Sequence, residues 1–234
     1  MKLNLTDEIL PDQKELFKKV LLFTEDSRAR WFIKKMINIS DHKSSLASIR
    51  LADVSMPWSS LANLAKESIS ILPKSIFIFD PDLSNKKTQL VERISGDFNQ
   101  NSEALQVNSS NGRVFILPGK AAIEKVLWDY VSNLNSEDAF FEDPIVIHAN
   151  LEKRLLLQNS PENLEKATME KSLSDYKKTG MSIQFKNSQT DKYKIWAEHM
   201  GTLIETICDY WIKANIKDVN TFTNTLYKSV LNLE

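Results

Sequence analysis

Two rhythms of apolar and polar residues alternate along the first half of the chain. Short β-branched or aromatic runs recur, separated by longer stretches whose apolar residues return at helical spacing, as in strands joined by crossover helices. The first run, VLLF at residues 20–23, is followed by Glu25 and Asp26 and then by Trp31, Phe32, Met36 and Ile37, which predicts a strand, an acidic turn and a helix. A second run, ASIRLADV at 47–54, precedes Pro57 and a helical pattern carried by Leu61, Leu64, Ala65, Ile69 and Leu72. Pro57 suits a first helical turn, where a missing N–H costs nothing. The third run, SIFIF at 75–79, leads directly into Asp80, Pro81 and Asp82, and its apolar character predicts a strand covered on both faces. The fourth, VFIL at 114–117, is followed by Pro118, Gly119 and a helix bearing Ala122, Ile123, Val126, Leu127 and Tyr130. The Asn- and Ser-rich stretch 99–113 between the last two runs predicts a loop or exposed insertion.

Beyond about Asn135 the strand signals thin to two short runs, 145–147 and 182–185. Helical patterns cover 151–157, 161–176 and a long final stretch, 191–233, with breaks expected near Asn215 and Asn220. Ser160 before Pro161 reads as a helix start. The expected organisation is an α/β domain over 1–135, a small parallel sheet flanked by helices, followed by a mainly helical C-terminal region over 136–234.

Composition narrows this picture by exclusion. A chain of 234 residues, 42% apolar, is long enough to bury a core without covalent staples. Its one cysteine, Cys208, precludes an internal disulfide, and three scattered histidines, His42, His148 and His199, argue against a Cys/His zinc site. Five glycines disfavour a hairpin-rich β fold and a glycine-rich phosphate cradle. With 30 basic against 31 acidic residues, no half carries the excess of a strong nucleic-acid binder, so any such contact must be local or aided by a metal or a partner. The opening MKLNLTDEILPDQKELFKK has charges and Pro11 where a signal peptide needs an apolar core, and no apolar run approaches the ~20 residues of a membrane span. A cytoplasmic protein without a membrane partner is expected.

The chemistry of interest lies after the strands. In open parallel sheets, ligands bind beyond the carboxyl ends, where loops gather. Three of the four predicted strands end in acidic or glycine-containing turns: Glu25-Asp26, Asp80-Pro81-Asp82, and Pro118-Gly119 with Glu124 one turn into the next helix. Carboxylates converging from neighbouring strands repel unless a cation lies between them, which points to Mg²⁺ or Mn²⁺. Asp80 and Asp82, two apart at a strand end, can point the same way. Taken singly, each motif is commoner as a helix cap or solvated turn; their joint order carries the inference.

That order, strand-Glu, two helix-strand steps, strand-Asp-x-Asp, resembles a Toprim domain, the metal-binding fold of topoisomerases, primases, some RNA maturases and the overcoming-lysogenization-defect (OLD) nucleases. LLFTEDSRARWFIKKM is similar to the OLD-type opening, in which Glu-Asp replaces Glu-Gly, and VFILPGKAAIEKVLWDYV is similar to the segment after Asp-x-Asp there. The resemblance spans about residues 17–132, with an echo in DKYKIW and DYWIKANIKDVNTF. It implies a Rossmann-like Toprim fold and a Mg²⁺- or Mn²⁺-dependent endonuclease acting on DNA or RNA. Glu25, Asp80 and Asp82 would hold the metal, Glu124 would assist a second cation, and Lys192 or Lys194 would steady the scissile phosphate. Two departures stand out. Ala29 occupies the place where many Toprim proteins carry an aspartate, and no GxxxxGK[ST] loop is present. The resemblance therefore implies a stand-alone Toprim effector of a bacterial antiphage defence system, acting with a separate ABC/AAA-type ATPase; it says nothing of oligomeric state, and a homo-oligomer stays open.

Other features have plainer expectations. Tyr193, Trp196, Tyr210, Trp211, Phe222 and Tyr227 stand at helical spacing that favours core packing over base stacking. Cys208, among Ile204, Ile207 and Trp211, reads as buried and inert. Lys86 and Lys87 follow Asp82 closely enough to touch a phosphate backbone. Ser-His-Asp catalysis has no G-x-S-x-G elbow to support it. Two rival readings keep an α/β fold: a non-catalytic scaffold that binds nucleic acid or the ATPase, and a receiver-like module that accepts a phosphoryl group on an aspartate.

Overall fold

The computed structural model describes residues 20–47, 49–95, 106–179 and 191–234. The chain forms two compact units, Met1–Ile123 with Asn215–Glu234, and Glu124–Ala214.

The first unit is built on four strands: β1 (Leu21–Thr24), β2 (Arg50–Leu51), β3 (Ser75–Phe79) and β4 (Val114–Ile116). All pair in parallel, in the order β2-β1-β3-β4. Two helices, α1 (Ser27–Ile39) and α2 (Lys43–Leu46), connect β1 to β2, and α3 (Trp58–Ile71) connects β2 to β3. A 3-10 helix (Pro81–Lys86) and α4 (Lys87–Ser95) follow β3. The third run of the sequence is thus a strand over its whole predicted length, and every residue of it is buried, as its unbroken apolar character requires. The second run is shorter than expected, with ladder pairing only at Arg50–Leu51.

Side chains alternate across the sheet. Phe77, Phe79, Val114 and Ile116 face a layer formed by Leu61, Ala62 and Ala65 of α3 and Leu90 and Ile94 of α4. Phe23 joins them, stacked on its register partner Phe77 at 5.3 Å. On β4, Phe115 turns the other way and meets Phe222 edge-on at 6.1 Å. Phe222 lies on α11 (Ile216–Leu233), the final helix. Val219, Phe222, Leu226 and Val230 form its buried stripe. Further ties hold it in the first unit: the Ser229 hydroxyl donates to the Gly112 carbonyl, and the Asn232 amide donates to Ser110 O at 3.0 Å. The His42 ring stacks on Tyr227 at 4.0 Å, with Nε2 2.8 Å from Asn224 Oδ1.

The second unit is helical: α5 (Ile123–Asn133), whose first residue belongs to the first unit, α6 (Pro144–His148), α7 (Lys153–Gln158), α8 (Pro161–Thr179), α9 (Lys192–Met200) and α10 (Leu203–Ala214). Its core includes Trp128 edge-on to Trp196 at 5.3 Å, and Phe140 edge-on to Tyr210 at 5.4 Å. Cys208 and Trp211 are buried as the spacing predicts.

Several sequence expectations need correction. The strand expected at Ile145–Ile147 is helix α6, because Pro144 opens it and Asp143 Oδ1 accepts from the Ile145 N–H at 2.9 Å. This is an N-cap that overrides β-branched propensity. The last helical stretch breaks at Gly201 and Asn215, whereas Asn220 lies inside α11. The boundaries of the two compact units fall at 123/124 and 214/215, and the last helix packs with the sheet of the first. The run expected at 182–185 lies outside the described residues. Among the described residues, no helix is long and apolar enough to cross a membrane.

Candidate functional site

The strand order fixes where the sheet's chemistry gathers. From β1 the chain passes to β2 on one side, then returns past β1 to β3 on the other, so connections diverge between β1 and β3. At such a switch point the loops at the carboxyl ends part and leave a crevice. Glu25 and Asp80 are the residues that follow β1 and β3 there.

Both side chains are half-buried. The Asp80 N–H donates to Glu25 Oε1 at 2.9 Å, linking the ends of two adjacent strands. The Oδ1 oxygen of Asp80 is shielded from solvent. The Glu25 carbonyl in turn accepts from the Met56 N–H at 2.8 Å, which anchors the loop after β2. Asp82 stands in the first turn of the 3-10 helix and is also half-buried. Asp26 serves the backbone instead, since its Oδ1 accepts from the Ala29 N–H at 2.9 Å and caps α1. Ala29 itself is fully buried.

Two further groups hold the edge in shape. Arg30 donates to Asp53 Oδ1 at 2.9 Å and to the Val54 carbonyl, tying α1 to the loop after β2. Nothing in the sequence signalled this role, since Arg30 reads there as one more polar position on a helix. On the other side, the Asn85 amide donates to the Lys120 carbonyl at 2.9 Å and joins the turns after β3 and β4. Gly119, next to Lys120, has φ of +126°, a conformation that favours glycine.

Of the residues singled out in the sequence, then, the fold brings Glu25 and Asp80 together and carries Asp82 two positions on. Glu124, Lys192 and Lys194 belong to the second unit. Glu124 is 5% exposed in the first turn of α5. Lys192 donates to Glu162 Oε1 at 2.6 Å. That hydrogen bond holds the Lys192 ammonium above the ordinary lysine range and the Glu162 carboxyl below the ordinary carboxylate range. Lys194, on the same helix, is exposed.

Among the described residues, no group of three or more His, Cys, Asp or Glu is arranged to hold a metal ion. The Glu25–Asp80 pair fits a looser mode of binding. Mg²⁺ keeps several of its waters and is commonly held by one or two carboxylates plus substrate phosphates. Glu25 and Asp80 bring two half-buried carboxylates to adjacent strand ends, and hard oxygen donors of that kind suit Mg²⁺ or Mn²⁺. No family model, characterised protein or solved structure matches this chain.

Proposed function

We propose that the protein is a Mg²⁺- or Mn²⁺-dependent nuclease of the Toprim type, hydrolysing phosphodiester bonds of DNA or RNA as the effector partner of a separate ATPase in antiphage defence. The observation that carries this reading is the Glu25–Asp80 pairing at the switch point of the parallel sheet. The order of motifs along the chain supports it, since Glu after the first strand and Asp-x-Asp after the third are the residues by which it resembles OLD-type domains.

Glu25 and Asp80, with Asp82 beside them, would hold the cation. When bound, the cation supplies a water of lowered pKa and neutralises charge on the phosphate oxygens. The hydrogen bond from Asp80 N–H fixes the Glu25 carboxylate in position before substrate arrives, which lowers the cost of assembling the site. In the second unit Glu162 engages the Lys192 ammonium, and Lys194 stands exposed on the same helix.

The test is cleavage of plasmid DNA, single-stranded DNA and total tRNA by the purified protein with Mg²⁺, Mn²⁺ or EDTA, beside Glu25→Ala. Metal-dependent cutting that disappears in the variant is the expected result, and the substrate cut names the polymer. Should neither protein cut, alone or with the product of the neighbouring gene, the nuclease reading fails and the scaffold reading takes its place.

A further inference from the structure

One strand over from the carboxylate pair, the first unit contains a cavity of about 320 Å³. Its walls come from four stretches of the chain: the 3-10 helix and the start of α4, residues 107–108, β4 with the turn after it, and the first half of α11. The Leu117 N–H donates to the Phe79 carbonyl at 2.9 Å, so the β4 side of the cavity is in register with the residue just before Asp80. Asn108 borders it with φ of +55°, held there by the Ile116 N–H, which donates to its Oδ1 at 2.8 Å.

The lining has a definite chemical character. Val107, Ile116, Leu117 and Phe222 make it mainly apolar, while Lys87 and Asp218 bring one exposed cation and one exposed carboxylate from opposite elements. The volume lies at the small end of ligand pockets, which run from about 300 to 1,000 Å³. A ligand suited to it is small, with apolar faces, one anionic group and one hydrogen-bond donor. A nucleotide with an amino-bearing base has all of these: the faces of the ring, a phosphate and an exocyclic amine.

We propose that this cavity takes up a single nucleotide, its phosphate toward Lys87 and the amine of an adenine, cytosine or guanine toward Asp218. On the nuclease reading, which this inference deepens, the nucleotide is an unpaired member of the strand being cut, and the protein prefers single strands to duplex. A free nucleotide is the other source of the same chemistry.

Binding is measured in EDTA, where no cutting occurs, so the outcome does not depend on catalysis. The probes are fluorescently labelled single-stranded homopolymers of adenine, cytosine and thymine, an adenine–thymine duplex, and AMP and inorganic phosphate by calorimetry. The adenine and cytosine strands are expected to bind about tenfold more tightly than thymine or the duplex. Thr225→Trp, which fills the cavity from α11, and Lys87→Glu, at an exposed position that folding does not need, should each weaken that binding about tenfold or more at unchanged melting temperature. Equal affinity for AMP and for a single strand, per nucleotide, identifies the ligand as a free nucleotide. Inorganic phosphate binding as well as AMP, or both variants binding like the wild type, overturns the proposal. If the protein cuts nucleic acid but the two variants bind and cut normally, the cavity inference falls while the nuclease stands. If the strands bind in the cavity and nothing is ever cut, the reverse holds.

Discussion

In the first unit the Glu25 side chain reaches the backbone of Asp80 across 55 positions of sequence, whereas in the second Lys125 meets Asp129 one turn further along its own helix. The contrast extends through both units. Lys153 donates to the Ser132 and Leu134 carbonyls at the end of α5, and Lys192 pairs with Glu162 at the start of α8. In the helical unit these three ammonium groups are met by carboxylates or by carbonyls at a helix C-terminus, where a cation is favoured. At the sheet edge, strand pairing brings the residues after β1 and β3 together, and the Glu25 carboxylate accepts from the Asp80 N–H. A carboxylate fixed across strands in this way is where ligand chemistry is to be sought.

The largest test of that contrast is Glu25→Gln. The amide oxygen still accepts from the Asp80 N–H, so the strand ends stay linked while the negative charge is gone. On the nuclease reading, cleavage should fall about a thousandfold or more with little change in melting temperature, since charge neutralisation by a held cation would be worth several kcal/mol at the transition state. A parallel loss of stability would show that the pair is architectural. The two units differ in packing as well, and Leu226→Ala examines the first. Leu226 is fully buried on α11, and its truncation should cost about 2–5 kcal/mol in chemical denaturation. Gly119→Ala comes next, with an expected loss of about 1–3 kcal/mol from backbone strain at φ of +126°. The smallest effect belongs to the helical unit. Lys192 depresses the Glu162 pKa, so the pair's contribution is complete above the ordinary carboxylate range and is lost as pH falls through the lowered Glu162 value. Because the Lys192 pKa is raised, its share is complete below the ordinary lysine range and is lost as pH rises through the raised value. The difference in melting temperature between wild type and Glu162→Gln should therefore shrink in acid, and a difference independent of pH would remove the ion pair as its cause.

Much of the first unit was legible because its signals are local. SIFIF is apolar at every position but one and becomes a central strand, and the acidic residues that follow β1 and β3 lie where a parallel sheet presents them. The failures share a cause, which is that partners are chosen over distance. The helical spacing of 216–233 announces an apolar stripe, yet nothing in it says that the stripe packs with strands more than a hundred residues earlier. The cavity drew on residues from Ser84 to Thr225 and left no motif for the same reason. Asp26 was legible only as one of an acidic pair; its use as a cap for α1 separates it from Glu25. At Ile145 and Ile147 a local signal was outvoted by another, since Asp143 and Pro144 start a helix that two isoleucines, both more than half exposed, do nothing to oppose.

The return of α11 to the first unit bears on the order in which the protein is made. A ribosome completes all four strands before it starts on residues 124–214, and the stretch that pairs Phe222 with Phe115 emerges only after those. Until then one side of the nascent sheet lacks its final apolar cover, and contacts such as His42 with Asn224, 182 positions apart, can form only late. Closure over such separations is slow relative to helix formation. The intermediate unit has time to fold while the sheet waits, so the growing chain passes through a stage in which chaperone binding to the uncovered strands is the natural protection against aggregation.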